Sequence, residues 1–356
     1  TSIPVLCFGL LTPLASLLIS RMGLRTAIII TLSGAALGLI VRPYTGAGGL
    51  FAGTLLIGVS LAIGNIVSLM VIARDFQDRR SLITGIYTAA LNIGTMLTGA
   101  LTAPLAAVTG WRPALASWVW LAVAALGLWW LAERRRDAAR PEPAPAPRAT
   151  APKTPAPQTG APAATPVWRK PVVWLLSAVF AVHLFVYYSL TAWLPSYLTT
   201  TQGLSPTRAG MVASAFQVLS LIGSLGSPLL ARRFPLGLQL MVMGLLWAMT
   251  PVWMQLAPSA WPLWSLMGGI AQGGTFVVVF MLIMQQAQDL DENRRISTLV
   301  QGVGYSLAAL GPIASGALHE LSGDWGPVFI MLSGLSLALV AAGAVLLRLD
   351  SPRGAR

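Results

Sequence analysis

Charge is scarce in this sequence. Only 10% of its 356 residues are Asp, Glu, Lys or Arg, well under the roughly 25% that a soluble globular chain carries. With 55% of residues hydrophobic, too few polar groups remain to cover a water-facing surface, which excludes most soluble enzymes and nucleic-acid modules. Cysteine is reduced to Cys7, which lies in an apolar run, has no disulfide partner in the chain and reads as a small packed hydrophobe. Histidine is limited to His183 and His319, so neither a metal cluster nor a clustered catalytic set is expected. Asp289-Leu-Asp291-Glu292 lacks the spacing and the glycine of a calcium loop. Walker loops and nucleophile elbows are also missing, and Gly302-Val-Gly304 falls inside an apolar span rather than after a strand. No cofactor, no metal and no enzyme activity are expected. Methionine and a basic signal-peptide region are both missing from the start, which opens inside a hydrophobic stretch.

What the sequence does have is long apolar runs, 13 Trp and 35 Gly, the composition of a polytopic helical membrane protein. A helix needs about 20 apolar residues to cross the hydrocarbon core. Such stretches number eleven, at about 2–20, 26–42, 49–73, 82–108, 112–132, 172–199, 208–231, 238–256, 261–287, 297–318 and 326–348. The cations then order the loops. Of 23 Lys and Arg, all but Arg42, Arg112 and Arg208 fall on one set of alternate loops and the C-terminal tail, which makes that set cytoplasmic. The net charge of +12 therefore follows from topology, and no nucleic-acid partner is expected.

Four segments result: a helical bundle at 1–132 with five spans, a linker at 133–171, a six-helix bundle at 172–348 and a tail at 349–356. The linker holds ten prolines among 39 residues, so it cannot bury an apolar face and is expected to be extended or disordered. Its basic start, Arg134 to Arg136, reads either as a lipid-binding polybasic segment or simply as the topological signal.

The two bundles repeat. Gly58 and Gly64 match Gly268 and Gly274 at an offset of 210, Gly85 and Gly94 match Gly302 and Gly311 at 217, and Trp111 and Pro113 match Trp325 and Pro327 at 214. Ser16 and Arg21 pair with Ser227 and Arg232 at 211. A shared offset implies two structurally equivalent bundles. The partner of the span at 172–199 falls before residue 1, so a six-plus-six protein whose first helix precedes this chain is expected.

Two six-helix repeats joined by a cytoplasmic linker resemble the major facilitator transporters. The loop Leu18-Ile-Ser-Arg-Met-Gly-Leu-Arg25 resembles that superfamily's signature, with Ser20 where an Asp is usual. Thr1 to Gly9, Gly64-Asn65, Arg74-Asp-Phe76, Thr84-Gly-Ile-Tyr87, Val186 to Pro195, and Gln301-Gly-Val-Gly-Tyr305 with Leu310-Gly-Pro312 resemble the cyanate/2-nitroimidazole transporter family (CynX/NimT). The resemblance implies a secondary or facilitative transporter of a small solute, a cyanate-like anion or a nitroimidazole-like compound, moved by alternating access. It implies a protein of the bacterial inner membrane, with the lipid bilayer and the solute as partners, acting as a monomer. Lipophilic drug efflux is the same-class alternative. A membrane sensor or a membrane-embedded enzyme is the alternative from another class.

All eleven acidic residues lie in loops, linker or tail, so a carboxylate proton relay within the spans is not visible. Candidate solute contacts are therefore neutral. His183, Tyr187 and Thr191 are spaced i, i+4, i+8 and form one helical stripe before Pro195. They read either as a cavity wall or as a histidine bonded to a neighbouring helix. Tyr188 and Trp193 point elsewhere on the helix, and Trp193 reads equally as an interfacial anchor. Thr84, Thr88, Asn92, Thr95, Gly99 and Thr102 form a second stripe, where packing is the default and Asn92 the exception. Asn65, Tyr87, Gln217, Gln272, Gln301 and Tyr305 complete the set. For gating, the candidates are Arg21, Arg25, Arg74, Asp75, Arg79 and Arg80, with Arg232, Arg233, Arg294 and Arg295 in the matching loops. Salt bridges there compete with a plain solvated charge run.

Overall fold

The structure, a computed structural model, describes residues 2–139 and 166–350. The described residues are helical, in twelve α-helices with two short 3-10 turns: α1 (Ser2–Tyr44), α2 (Gly46–Asp75), α3 (Arg80–Thr109), α4 (Trp111–Ala116), α5 (Val119–Ala139), α6 (Pro171–Gln202), α7 (Pro206–Leu230), α8 (Leu236–Leu256), α9 (Trp261–Gln286), α10 (Leu290–Ala308), α11 (Gly311–Ser322) and α12 (Gly326–Asp350). Nine stretches among the described residues are long and apolar enough to cross a membrane. The first two spans read from sequence are the two arms of α1, which meet at Gly23 (φ 77°, ψ 165°), a conformation only glycine adopts readily. The span at 82–108 is the 30-residue helix α3.

Gly110 (φ 85°) ends α3 between two spans. Single spans also contain breaks: Ser117 and Trp118 separate α4 from α5, and Gly311-Pro312 separates α10 from α11, because proline lacks the N–H that a continuous helix requires. The expected linker begins as helix: α5 runs on to Ala139, beyond residue 133, because Ala, Glu and Arg favour helix. Residues 140–165 and 351–356, which hold the rest of the linker and most of the tail, lie outside the described residues.

Helix packing is densest in the second half of the chain. There α9 meets α7 and α8, α8 meets α12, and α6 meets α10. Glycines set the distances: a Cβ at Gly269 would lie 2.8 Å from Leu219 Cβ, and one at Gly268 2.5 Å from the Phe216 ring. Such small residues let membrane helices approach closely. Trp247, Trp264, Phe180, Phe216 and Phe280 are fully buried there. Helix pairs α1 with α10 and α3 with α7 do most to join the halves, with α3–α9 and α2–α10 beside them. Gly9 abuts the Ser306 backbone in the first, and a Cβ at Gly85 would lie 2.6 Å from the Ser224 carbonyl in the second.

Candidate functional site

Where α1, α3, α6, α7, α10 and α11 converge lies a cavity of about 370 Å³. Its polar wall is Thr95, Tyr187, Tyr188, Thr191 and Gln217, and Phe8, Val5, Ala192, Ala308, Ala309 and Pro312 close it with apolar surface. All these side chains are uncharged. Tyr187 and Thr191 stand one turn apart on α6, and the Thr191 hydroxyl donates to the Tyr187 carbonyl. From α7, Gln217 Nε2 donates to Tyr187 Oη at 2.8 Å. The other end of that amide, Gln217 Oε1, is buried without a hydrogen-bond partner among the described residues. The cavity wall thus offers a phenol, hydroxyls and an open amide oxygen.

Two polar bridges flank the cavity and cross between the halves. In one, Tyr87 Oη donates to Asn65 Oδ1 at 3.1 Å, and Asn65 Nδ2 donates to Tyr305 Oη at 3.3 Å, joining α3, α2 and α10. Tyr305 in turn packs against Phe8, with ring centroids 5.0 Å apart, so it lies behind the cavity wall. In the other, Asn92 Nδ2 donates to Ser224 Oγ at 3.2 Å while Gln272 Nε2 donates to Asn92 Oδ1 at 3.4 Å, joining α3, α7 and α9. Five of the expected residues, Asn65, Tyr87, Asn92, Gln272 and Tyr305, therefore form interhelical bonds around the cavity, in addition to Tyr187, Thr191 and Gln217 along it.

His183 departs from the expected stripe. It is fully buried and accepts from Trp247 Nε1 at Nδ1, 3.2 Å, within a cluster of Phe180, Phe276 and Trp247. An i, i+4, i+8 series winds by about 80° over its length, enough to turn His183 from the cavity into the second half. Gln301 is likewise buried away from the cavity wall, its Nε2 unpartnered among the described residues. Tyr188, expected to point elsewhere, lines the cavity beside Tyr187, with ring centroids 5.1 Å apart. Trp193 is an interhelical donor to the Pro312 carbonyl at 2.8 Å. Sequence reasoning missed Phe8, Trp247 and Ser224. Of these, Ser224 had a signal, standing seven residues, two turns, beyond Gln217 on α7.

At the end of the molecule rich in arginine, Arg294 Nη1 donates to Ser16 Oγ at 2.6 Å and to the Ser16 carbonyl at 3.1 Å, tying α10 to the first arm of α1. Asp291 holds Arg294 and Arg295, each at 2.5 Å. Lys170 pairs with Glu292 at 2.5 Å, fixing the approach to α6 on the first turn of α10. Asp289 caps that turn by accepting from the Glu292 N–H at 2.7 Å. Among the described residues, the ion pairs recorded for the remaining gating candidates lie within the first half. Arg74 pairs with its neighbour Asp75, and Arg25 with Glu133 on α5. Arg21, Arg79, Arg80, Arg232 and Arg233 form no ion pair among the described residues. Ser20, in the signature's acidic position, donates to the Leu17 carbonyl of its own helix.

The profile of the Major Facilitator Superfamily matches residues 1–309. A 2-nitroimidazole transporter of Escherichia coli (strain K12) is 28% identical over 353 residues, covering 96% of this chain and 84% of that protein. The cyanate transport protein CynX of the same organism is 29% identical over 331 residues, covering 91% of this chain and 81% of that protein. In fold, the chain is similar to the human organic anion transporter MFSD10 (TETRAN), with a TM-score of 0.75 at 15% identity, covering 96% of this chain and 82% of that one.

Proposed function

This chain belongs to the Major Facilitator Superfamily, as an integral membrane transporter rather than an enzyme, and from that premise we propose that its solute is a compact, flat, polar molecule bound between Tyr187, Tyr188 and Gln217. The observation that carries this reading is the uncharged wall of the 370 Å³ cavity. A buried anion without a cation nearby loses hydration that nothing replaces, so the wall favours a neutral nitroimidazole-like compound. The hydroxyl of Tyr187, which accepts from Gln217 and keeps its own proton to donate, suits a nitro oxygen, the open Gln217 Oε1 suits a ring N–H, and the tyrosine rings suit its face. A cyanate-like anion is the second reading, supported by the same hydroxyl donors and by the similarity to the cyanate transport protein. Bulky lipophilic drugs are disfavoured, since drug-sized ligands occupy sites of about 300 to 1,000 Å³ and this one is at the lower end.

Alternating access follows from the placement of the cavity between helices of both halves. Residues 1–132 and 172–348 act as the two bundles, and the Arg294–Ser16 contact holds the arginine-rich end closed. The distribution of cations supports a cytoplasmic position for that end, the linker and the tail in a bacterial cell. On α10, Asn293, Ser297, Gln301 and Tyr305 recur every four residues and are all buried, and the first three carry polar atoms without partners among the described residues. Buried unsatisfied groups are rare in a state they are built for, so this file serves as the exit path once the bundles rock.

The test is counterflow of labelled 2-nitroimidazole and labelled cyanate in proteoliposomes. Exchange of 2-nitroimidazole is expected, with KM raised about tenfold or more in Tyr187→Phe and Gln217→Leu, the cost of one lost hydrogen bond in a buried site. Exchange of cyanate alone would favour the second reading. Exchange confined to a bulky lipophilic cation would discard both.

A further inference from the structure

Along part of their length α7 and α9 touch backbone to backbone. A Cβ at Gly273 would overlap the Ser220 carbonyl, and one at Gly223 would overlap the Ile270 carbonyl. Nearer the start of α9 glycine gives way to Trp261, Pro262 and Leu263, side chains that cannot enter a contact of that width. There the two helices part over a groove of about 880 Å³.

The walls of this groove are apolar, formed by Leu204, Met211, Val212, Ala215 and Pro258, and Met211 remains 67% exposed. Arg208, Ser259 and Trp261 stand at its mouth. Arg208 and Trp261 each begin a stretch long enough to cross a membrane, so they lie at the same boundary of the bilayer. Seven residues separate Arg208 from Ala215, about 10 Å of helix, which carries the groove from that boundary into the hydrocarbon region. Arg208 is the one charged residue lining it. Of the three arginines set apart from the others in the sequence, Arg112 donates to the Pro43 carbonyl at 3.1 Å, whereas the Arg208 guanidinium forms no ion pair or hydrogen bond among the described residues. The segments that build the groove hold no carboxylate to meet it: Arg208 is the sole charge between Lys170 and Arg232, and none stands between Arg233 and Asp289.

From this arrangement we propose that the groove between the starts of α7 and α9 binds one anionic phospholipid, its phosphate at Arg208 and an acyl chain along Met211, Val212 and Ala215. Apolar walls left without neighbours forfeit their van der Waals contacts, so hydrocarbon fills them where the groove enters the bilayer. The unpaired arginine then selects the headgroup. A basic side chain at a bilayer surface attracts an anionic headgroup, and an indole such as Trp261 sits at that depth. A zwitterionic lipid would fill the apolar part but bring a cation of its own, leaving the charge of Arg208 uncompensated. The proposal is independent of the solute, because lipid retention is read without any transport.

The test is native mass spectrometry of the full chain released from bilayers of equal phosphatidylcholine and phosphatidylglycerol, with the collision energy raised until a single lipid remains. That last lipid is expected to be phosphatidylglycerol, favoured over phosphatidylcholine by about fivefold or more, the factor that one basic residue near the surface contributes. Arg208→Gln should lose the preference, whereas Arg233→Gln, beyond the other end of α7, should keep it. Ala215→Leu, which fills the groove, should lose the lipid and melt no lower than the unchanged protein. Equal retention of the two lipids, a preference that survives Arg208→Gln or falls as far in Arg233→Gln, lipid kept by Ala215→Leu, or a lipid-free dimer would each overturn the proposal.

Discussion

Among individual side chains, His183 and Tyr187 show how one helix divides its labour. Both were marked by the same four-residue spacing, yet only Tyr187 reaches the cavity, while His183 accepts from Trp247 in an aromatic cluster. Their substitutions should therefore separate stability from transport. His183→Ala leaves both a void and an indole N–H without an acceptor, a destabilisation of about 2 to 4 kcal/mol. It should lower the melting temperature in detergent while leaving the KM for 2-nitroimidazole within about threefold, since the solute contacts are untouched. Tyr187→Phe should do the reverse, melting nearly as the unchanged protein and losing most of the stabilisation that saturating solute gives, about 2.7 kcal/mol at 100 times Kd. A tenfold KM change in His183→Ala would return that residue to the site. The amides Asn65, Asn92, Gln217 and Gln272 were legible because an amide in a membrane helix must find partners. Which of them bond one another was not, since that depends on neighbours more than a hundred residues away in sequence, as with Asn92 and Ser224.

Helices carry the next level of argument, and α10 is the most informative of them. Its first turn holds Arg294 against Ser16, and its buried face carries Asn293, Ser297 and Gln301. Arg294 is 12% exposed at the side chain, so its bonds to Ser16 are little screened, and a hydrogen bond to a charged group is worth about 1.5 to 3 kcal/mol. Removing it should favour the open state. In a Cys7→Ala background, a Ser297→Cys variant should react with a water-soluble thiol reagent at least about fivefold faster when Arg294→Ala is added, as roughly 1 kcal/mol of bias predicts. An unchanged rate would remove Arg294 from the gate. The breaks between and within spans were partly legible: Gly110 and Gly311-Pro312 carry glycine or proline, whose effect is local. So was the division of α1, because two apolar runs flank the arginine-bearing loop in which Gly23 breaks the helix.

For the whole molecule, the repeat is the organising fact, and departures from it are where state enters. The offset that pairs Ser16 with Ser227 also brings Arg80 to Arg294, within a few residues. Arg294 bonds Ser16, whereas Arg80 Nε and Ser227 Oγ are both buried without partners among the described residues. One of two equivalent cross-bundle contacts is thus made. Arg80→Ala is accordingly expected to leave the labelling of Ser297→Cys within about twofold, the range of a substitution that breaks no contact. A change as large as that of Arg294→Ala would show that Arg80 also holds the gate. Length, hydropathy and the scarcity of charge determined by themselves that this is an all-helical membrane protein, because lipid leaves a chain no other way to satisfy its backbone than helix or closed barrel. The arginines and the repeat, which are likewise local signals, pointed to the transporter family. The tertiary structure alone decided which polar side chains line the cavity, which ones bond each other, and where α7 and α9, in contact at their glycines, part over a groove. Those outcomes depend on distances between helices far apart in sequence, and a helix carries in its own residues the faces it can offer but not the neighbour it will meet.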